Sequence, residues 1–214
     1  MISISGIKYQ KELEALPYFN KKAAAFLIGK KGKNLDKKIE QLKRKKYLLS
    51  LKKGIYVSSV FVEKLGDRKP YSEYLANILR YPSYISLEYA LAEYGLIPEG
   101  VSVITSISLK SGRVFENILG SFVYKNIKSE LFSGFVERSF LDKNIKFATP
   151  AKALFDLLYL KKIPDLDQEL KEDLRINWSN FGSADLEELA RYIGRSKSLK
   201  MGKILEIIKE IYDH

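Results

Sequence analysis

In the stretch KNLDKKIEQLKRKKYLLSLKKGIYVS, residues 33–58, the spacing of apolar residues changes from that of a helix to that of strands. This change predicts the architecture of the first third of the chain. Leu35, Ile39 and Leu42 are spaced four and three residues apart, so on a helix they form one narrow apolar stripe. Two apolar runs follow, residues 47–51 and 55–59, on either side of the turn KKG. The pattern predicts a helix followed by a β-hairpin.

The apolar stripe also determines which side chains of this helix point outward. At 100° per residue, Lys33, Lys37, Gln41 and Arg44 fall opposite the stripe, with Asn34, Lys38 and Lys45 on its flanks. Cations neutralise phosphates, whereas Asn, Gln and Arg can make paired hydrogen bonds to base edges in a major groove. The outward face has the composition that duplex DNA requires.

Two further helices are predicted upstream of this stretch. Ile2, Tyr9, Leu13 and Leu16 recur at helical spacing until Pro17, which ends the first helix. Asn20 is suited to cap a second helix over KKAAAFLIG, and the glycines of GKKG, residues 29–32, suit a tight turn before the third. Three helices followed by a hairpin is the order of a winged helix-turn-helix.

The net charge is concentrated in the same part of the chain. Residues 1–70 hold 18 Lys and Arg against 6 Asp and Glu, a net charge of +12, whereas residues 71–214 hold 19 against 20. A basic face confined to one region is what binding to nucleic acid or an anionic membrane needs. The short elements and the turn do not form one long amphipathic membrane helix, so the prediction is DNA. The predicted DNA-binding residues are Lys21, Lys22, Lys33, Asn34, Lys37, Lys38, Gln41, Arg44, Lys45, Lys52 and Lys53.

Several classes of chemistry are disfavoured by composition. The chain has no cysteine, and its one histidine is the last residue, His214, so thiolate zinc sites and histidine-dependent catalysis are not expected. The start MISISGIKYQ has no signal-peptide pattern, and no apolar run approaches the roughly 18 residues of a membrane span. We expect a cytoplasmic protein with no membrane contact, no enzymatic activity, no metal and no cofactor.

A second domain is predicted to begin near residue 70, giving domains 1–70 and 71–214. Its four strand-like runs are VSVITSISL, RVFENIL, SFVYKNI and SGFVER, which predict a mostly antiparallel sheet. One helix is expected from Ser86 to Gly95 and Pro98, and another after Thr149 and Pro150, which are suited to the cap and first-turn positions. Further helices end the chain, so the predicted fold class is α+β.

Three stretches of this second domain resemble the AbiE-type antitoxin family (AbiEi) of type IV toxin-antitoxin systems: YISLEYALAEYGLIPEGVSVITS, FENILGSFVYKNI and FATPAKALFDLLYL. The resemblance covers residues 20 to about 200. Its matching residues are Ser86, Leu87, Glu88, Ala90, Leu91, Gly95, Leu96, Ile97, Pro98, Thr105, Ser106, Gly120, Tyr124, Ala148, Pro150, Lys152, Ala153, Leu154 and Asp156. The family usually has Glu where this chain has Ala151, so any role of that carboxylate is absent here.

The resemblance implies a function for each domain. The first domain would bind inverted repeats in the promoter of its own operon and repress it. The second would counter a nucleotidyltransferase-like toxin, functionally and with or without direct contact, in abortive infection and phage defence. The matched residues are expected to be core or cap residues, and none is assigned to toxin neutralisation.

Two alternatives remain open from the sequence. A winged-helix regulator could respond to a small ligand and have no toxin partner, since pockets leave no motif. A metal-dependent nuclease is suggested by PDLDQELK, residues 164–171, where Asp165, Glu169 and Lys171 resemble a PD-(D/E)xK site. Glu169 and Lys171 are two residues apart and would diverge on a helix, which disfavours the nuclease.

Overall fold

The computed structural model describes residues 6–212 and divides into two compact units. The first unit contains the residues up to Pro70 together with Phe115–Leu119. The second contains Tyr71–Val114 and the residues from Gly120 onward. The division drawn from the sequence at residue 70 did not include this short segment of the first unit. Ile2, part of the first predicted helix, lies outside the described residues.

The first unit combines short helices with a small antiparallel sheet. Its elements in chain order are α1 (Gln10–Ala15), β1 (Phe19–Asn20), α2 (Lys21–Ile28), α3 (Gly32–Arg44), β2 (Leu48–Lys52), β3 (Ile55–Ser58) and α4 (Ser59–Glu63). Strand β3 lies between β1 and β2 and pairs antiparallel with both. The predicted order of three helices and a hairpin is present, and the short strand β1 was not predicted.

The core of this unit is assembled around α3. Leu35, Ile39 and Leu42 are buried, as their spacing predicted. They belong to one apolar cluster with Leu13 of α1 and Leu27 of α2. Burying an aliphatic side chain of this size contributes about 1.5–3 kcal/mol relative to leaving it exposed. This burial holds α3 with its polar face outward.

The remaining elements are α5 (Lys69–Leu79), β4 (Ser83–Ile85), α6 (Leu87–Glu93), β5 (Ile104–Ser108), β6 (Arg113–Asn117), β7 (Gly120–Asn126), β8 (Phe135–Phe140), β9 (Lys143–Ala148), α7 (Pro150–Leu160), α8 (Leu166–Gln168), α9 (Ser183–Ser196) and α10 (Leu199–Tyr212). Helix α7 begins where its sequence predicted, because the Thr149 side chain accepts a hydrogen bond from the backbone of Lys152 and Pro150 occupies the first turn. Gly95 follows α6 with φ of 65°, a backbone conformation that favours glycine.

The order of helices and strands makes the chain α+β, as predicted.

The larger sheet has the strand order β6-β7-β5-β4-β9-β8 within the described residues. Strand β4 is antiparallel to β5 and parallel to β9, β5 is parallel to β7, and β8 is antiparallel to β9. The sheet is therefore mixed, with parallel pairs beside antiparallel ones, where the sequence predicted a mostly antiparallel sheet. The four predicted runs correspond to β5, β6, β7 and β8, and the unpredicted strands β4 and β9 lie between β5 and β8.

A helix that crosses a membrane must be both long and apolar. Among the described residues, no helix combines the length and the apolar character that crossing a membrane requires.

Candidate nucleic-acid interface

Helix α2 and the turn that follows it determine where α3 begins. The Asn20 side chain accepts a hydrogen bond of 2.8 Å from the backbone of Ala23, so it caps α2 as predicted. Gly29 ends α2 with φ of 75°, in the left-handed region where a side chain would be strained. Lys21 and Lys22 lie in the exposed first turn of α2. Local sequence features thus determine how α2 is joined to α3.

The polar face of α3 carries several cations. Its 13 residues include Lys33, Lys37, Lys38, Lys43 and Arg44. Among the predicted DNA-binding residues, Lys21, Lys22, Lys33, Asn34, Lys37, Gln41, Arg44, Lys45 and Lys53 are exposed, whereas Lys38 and Lys52 are partly buried. Within residues 6–212, no ion pair or hydrogen bond engages the side chains of Lys33, Lys37 or Arg44. These three cations face solvent.

Two carboxylates also lie on this side of α3, and neither is among the predicted DNA-binding residues. Glu40 is exposed and accepts a hydrogen bond of 2.9 Å from Lys43. Asp36 forms an ion pair of 2.5 Å with Lys21 of α2, and both side chains are about half exposed. The same 100° period that selected the cations also places Glu40 on the outward face, so its position was readable from the sequence. Lys21 is therefore already paired, and the face is mixed in charge.

The outward residues of α3 line a shallow surface concavity. It has a volume of about 700 Å³ and is lined by Asp36, Lys37, Glu40, Gln41, Arg44 and Lys45. It therefore brings together four of the predicted DNA-binding residues, Lys37, Gln41, Arg44 and Lys45. The arrangement offers cationic donors, one amide and two carboxylate acceptors along a single helix face.

The hairpin of β2 and β3 carries the two remaining predicted lysines. Gly54 adopts φ of 77° in the turn, and Lys53 beside it is exposed. Lys52 is partly buried, and its Nζ lies 5.7 Å from the centre of the Phe115 ring. Lys53 is consequently the more accessible of the two cations.

In the second unit, several residues that carry the family resemblance form a buried polar cluster. Lys152 Nζ lies 2.6 Å from Asp156 Oδ1, and both side chains are fully buried. Asp156 Oδ2 accepts hydrogen bonds from Ser86 Oγ at 2.7 Å and from Tyr84 Oη at 2.9 Å. We call Tyr84, Ser86, Lys152 and Asp156 the buried polar cluster. It joins α7 to β4 and to the residue that precedes α6.

Burial sets the electrostatics of this cluster. It lowers the pKa of the Lys152 ammonium and raises the pKa of the Asp156 carboxyl, because low polarity disfavours both charged forms. The attraction between the two groups opposes both shifts. Lys152 Nζ also lies 4.6 Å from the centre of the Phe155 ring. Since the cluster is closed to solvent, its contacts are those of a core that links secondary-structure elements.

The other matched residues include a buried apolar set. Leu87, Ala90 and Leu91 are completely buried on α6. Ala151, where the family usually has Glu, is also completely buried in the first turn of α7. That turn is capped by Thr149, whose hydroxyl donates to Glu188 Oε1 at 2.9 Å.

The nuclease-like segment does not assemble a common site. Asp165 accepts a hydrogen bond from the backbone of Gln168 and caps α8, while Glu169 pairs with Lys161 and Lys171 pairs with Asp167. The three side chains therefore serve separate local contacts. Within residues 6–212, no group of three or more histidine, cysteine or acidic side chains is placed to hold a metal ion.

Comparisons with known proteins add no family assignment. No model of a protein family matches the chain, and no curated protein matches it. The resemblance to AbiE-type antitoxins stays a prediction that rests on the residues named above.

Proposed function

We propose that the first unit is a winged helix-turn-helix that binds double-stranded promoter DNA. In this proposal α3 enters the major groove and the hairpin of β2 and β3 is the wing. The observation that carries the proposal is the exposed cationic face of α3 on a helix whose opposite side is anchored in the core. A helix of 13 residues is about 20 Å long, and the major groove is about 12 Å wide and admits one helix.

The proposed contacts divide into two groups. Lys37, Gln41 and Arg44 meet base edges, because Arg and Lys donate to guanine and Gln forms paired hydrogen bonds with adenine. Lys22 and Lys53 are exposed and contact phosphates that flank the groove. Lys21 and Lys52 contribute less, because Lys21 is paired with Asp36 and Lys52 is partly buried.

We further propose that the protein is a type IV antitoxin that represses its own operon, with the second unit opposing a nucleotidyltransferase-like toxin. The resemblance of the second unit supports this reading, since Ser86, Lys152 and Asp156 match the family and meet in one buried cluster. Burial of these residues fits the expectation that the matched residues belong to the core. It assigns no side chain to toxin contact.

DNA binding is tested with the full chain and a duplex from the region upstream of its coding sequence. If about six phosphates are contacted, affinity falls roughly a thousandfold between 50 and 200 mM salt. A Lys37→Ala/Arg44→Ala variant should lose most of the binding. The control Lys203→Ala/Lys209→Ala removes the same charge from exposed positions on α10 and should bind like the wild type. Failure of the wild type to bind this duplex in dilute salt would refute the proposal.

Antitoxin activity is tested separately by co-expression with a neighbouring toxin-like gene. The full chain should rescue growth, and the Lys37→Ala/Arg44→Ala variant should rescue equally well while losing repression of a promoter reporter. Growth arrest that persists in the presence of the wild-type chain would remove the antitoxin assignment and leave the DNA-binding one.

A ligand-responsive regulator is the second candidate, because the second unit contains a cleft of about 400 Å³. Its polar lining includes Glu88, Lys125 and Lys161, and its apolar lining includes Ile97 and Leu157. The volume lies in the range of small-molecule sites. Release of the protein from its promoter by a metabolite, with no toxin-like gene nearby, would favour this candidate.

A further inference from the structure

The central row of the outward face of α3 contains one carboxylate among its cations. Lys33, Lys37, Glu40 and Arg44 follow one another at intervals of four, three and four residues, so they lie along one side of the helix. The Glu40 side chain is 58% exposed, and its contact is with Lys43. Asp36 differs, because it lies on the flank of the face and is paired with Lys21 of the neighbouring helix.

A surface that only held phosphates would gain nothing from Glu40. A carboxylate accepts hydrogen bonds and donates none, and phosphate oxygens are also acceptors with negative charge. At the centre of a DNA-binding face, Glu40 therefore repels the backbone and weakens binding to every sequence alike. Its favourable partners in a major groove are the amino groups of the bases.

The pattern of groups on the bases favours cytosine. Cytosine presents its N4 amino donor to the major groove, whereas adenine presents its N6 amino group beside the acceptor N7, which repels a carboxylate. The neighbours Lys37 and Arg44 are donors of the kind that bind guanine O6 and N7. Lys37, Glu40 and Arg44 are separated by about 4.5 and 6 Å along the helix axis, comparable with one to two base-pair steps.

We propose that Glu40 determines sequence specificity by accepting a hydrogen bond from the N4 amino group of a cytosine, in a half-site where Lys37 and Arg44 bind guanines. The inference rests on the proposed DNA-binding function. Lys43, at 2.9 Å from Glu40, holds the carboxylate in place from the side of the row. Glu40 thereby lowers affinity for most sequences and restores it for one.

The experiment is selection of binding duplexes from a randomised pool by the full-length protein, followed by affinity measurements at one salt concentration. The wild type should select a motif with a constrained C·G pair, and changing that pair to T·A should weaken binding roughly 5- to 140-fold. Glu40→Gln should move the preference at this position to A·T, because a glutamine amide pairs with adenine N6 and N7. It should also bind unrelated duplexes more tightly than the wild type.

The matched control is Glu12→Gln, which removes the same charge from an exposed position on α1. It should leave the selected motif unchanged, and circular dichroism melting should show that both variants are folded. If Glu40→Gln selects the wild-type motif and keeps the full C·G preference, the inference is overturned and Glu40 only stabilises α3 through Lys43. If the wild type binds no duplex in dilute salt, the proposed function itself fails.

Discussion

Helix α3 carries several lysines and α7 carries one, and on both helices a lysine lies close to a carboxylate, in opposite surroundings. On α3 the buried residues are Leu35, Ile39 and Leu42, and the charged side chains face solvent. On α7 every residue from Ala151 to Leu158 is buried, including Lys152 and Asp156. One helix has a narrow apolar stripe, and the other is enclosed on all sides.

The surroundings determine what a charged side chain can do on each helix. Removing an ion from water costs several kcal/mol, so a buried lysine is stable only beside a partner that compensates for the loss of hydration. Lys152 has that partner in Asp156 and is closed to solvent. The cations of α3 keep their hydration and can exchange it for phosphates or bases. Charged side chains at the surface are available for binding, whereas the buried charged pair holds secondary-structure elements together.

The largest effect is expected when the buried pair is broken. Lys152→Met leaves the Asp156 carboxylate without its cation and should lower the free energy of unfolding by about 3–5 kcal/mol, measured by urea denaturation. Lys171→Met is the matched control, because Lys171 pairs with Asp167 at the same i,i+4 spacing on an exposed surface. Lys171→Met should change the free energy of unfolding far less than Lys152→Met, because exposed ion pairs contribute little to stability.

A double variant sharpens this test. Lys152→Met/Asp156→Asn removes both charges and keeps an acceptor for Ser86 and Tyr84, so it should regain more than half of the lost stability. Equal destabilisation by the Lys152 and Lys171 changes would contradict the distinction drawn between the two helices.

A smaller effect is expected on the exposed helix. Arg44→Ala or Gln41→Ala should weaken binding to the selected operator by about 1–3 kcal/mol and relax the base preference there, while the stability of the fold changes little. Titration of cognate and unrelated duplexes measures both quantities. Arg191→Ala, at an exposed position on α9, serves as the control. An unchanged operator preference in both α3 variants would remove the assignment of α3 as the recognition helix.

The helix caps of the two units provide a third comparison. Asn20→Ala removes the cap of α2 and should cost about 1 kcal/mol of stability. Thr149→Ala should cost about 2 kcal/mol, because the hydroxyl of Thr149 also donates to Glu188. Thermal and urea unfolding measure both. A larger loss for Asn20→Ala than for Thr149→Ala would show that the exposed cap is the more important one.

The smallest effect is expected in the free energy of unfolding at acid pH. Burial alone would raise the pKa of Glu14, but hydrogen bonds from Tyr47 and Gln10 together with the charge of Lys64 outweigh it and hold the pKa below its ordinary value of 4.5. A depressed folded-state pKa contributes stability that is present above pH 4.5 and is lost as pH falls through the folded value. Glu14→Gln should therefore lose less stability than the wild type between pH 5 and pH 3, by about a few tenths of a kcal/mol. Identical pH profiles would exclude this contribution.

Local signals in the sequence predicted much of the first unit. The four-and-three spacing of Leu35, Ile39 and Leu42 identified the buried side of α3, since that period is a property of the helix itself. Asn20 and Gly29 marked the ends of α2 because capping involves neighbouring residues. The same period also places Glu40 on the outward face, although the composition of that face predicted only its cations and amides.

The second unit was predicted less completely because its defining contacts join distant residues. Strand β4 has only three residues and lies between β5 and β9. No local sequence pattern predicts this strand or its position in the sheet. The direction of β7 beside β5 depends on where the chain returns to the sheet. The four consecutive runs of strand character do not encode that choice.

The features that could be predicted from the amino-acid sequence are local ones: the amphipathic α3, the capped starts of α2 and α7, and a net charge of +12 confined to residues 1–70. The folded chain was needed to show that Ser86 and Asp156, 70 residues apart, share a hydrogen bond with Lys152 alongside, and that the sheet is mixed. Periodicity and capping act within a few residues, whereas burial of a charge depends on whatever distant segment packs against it.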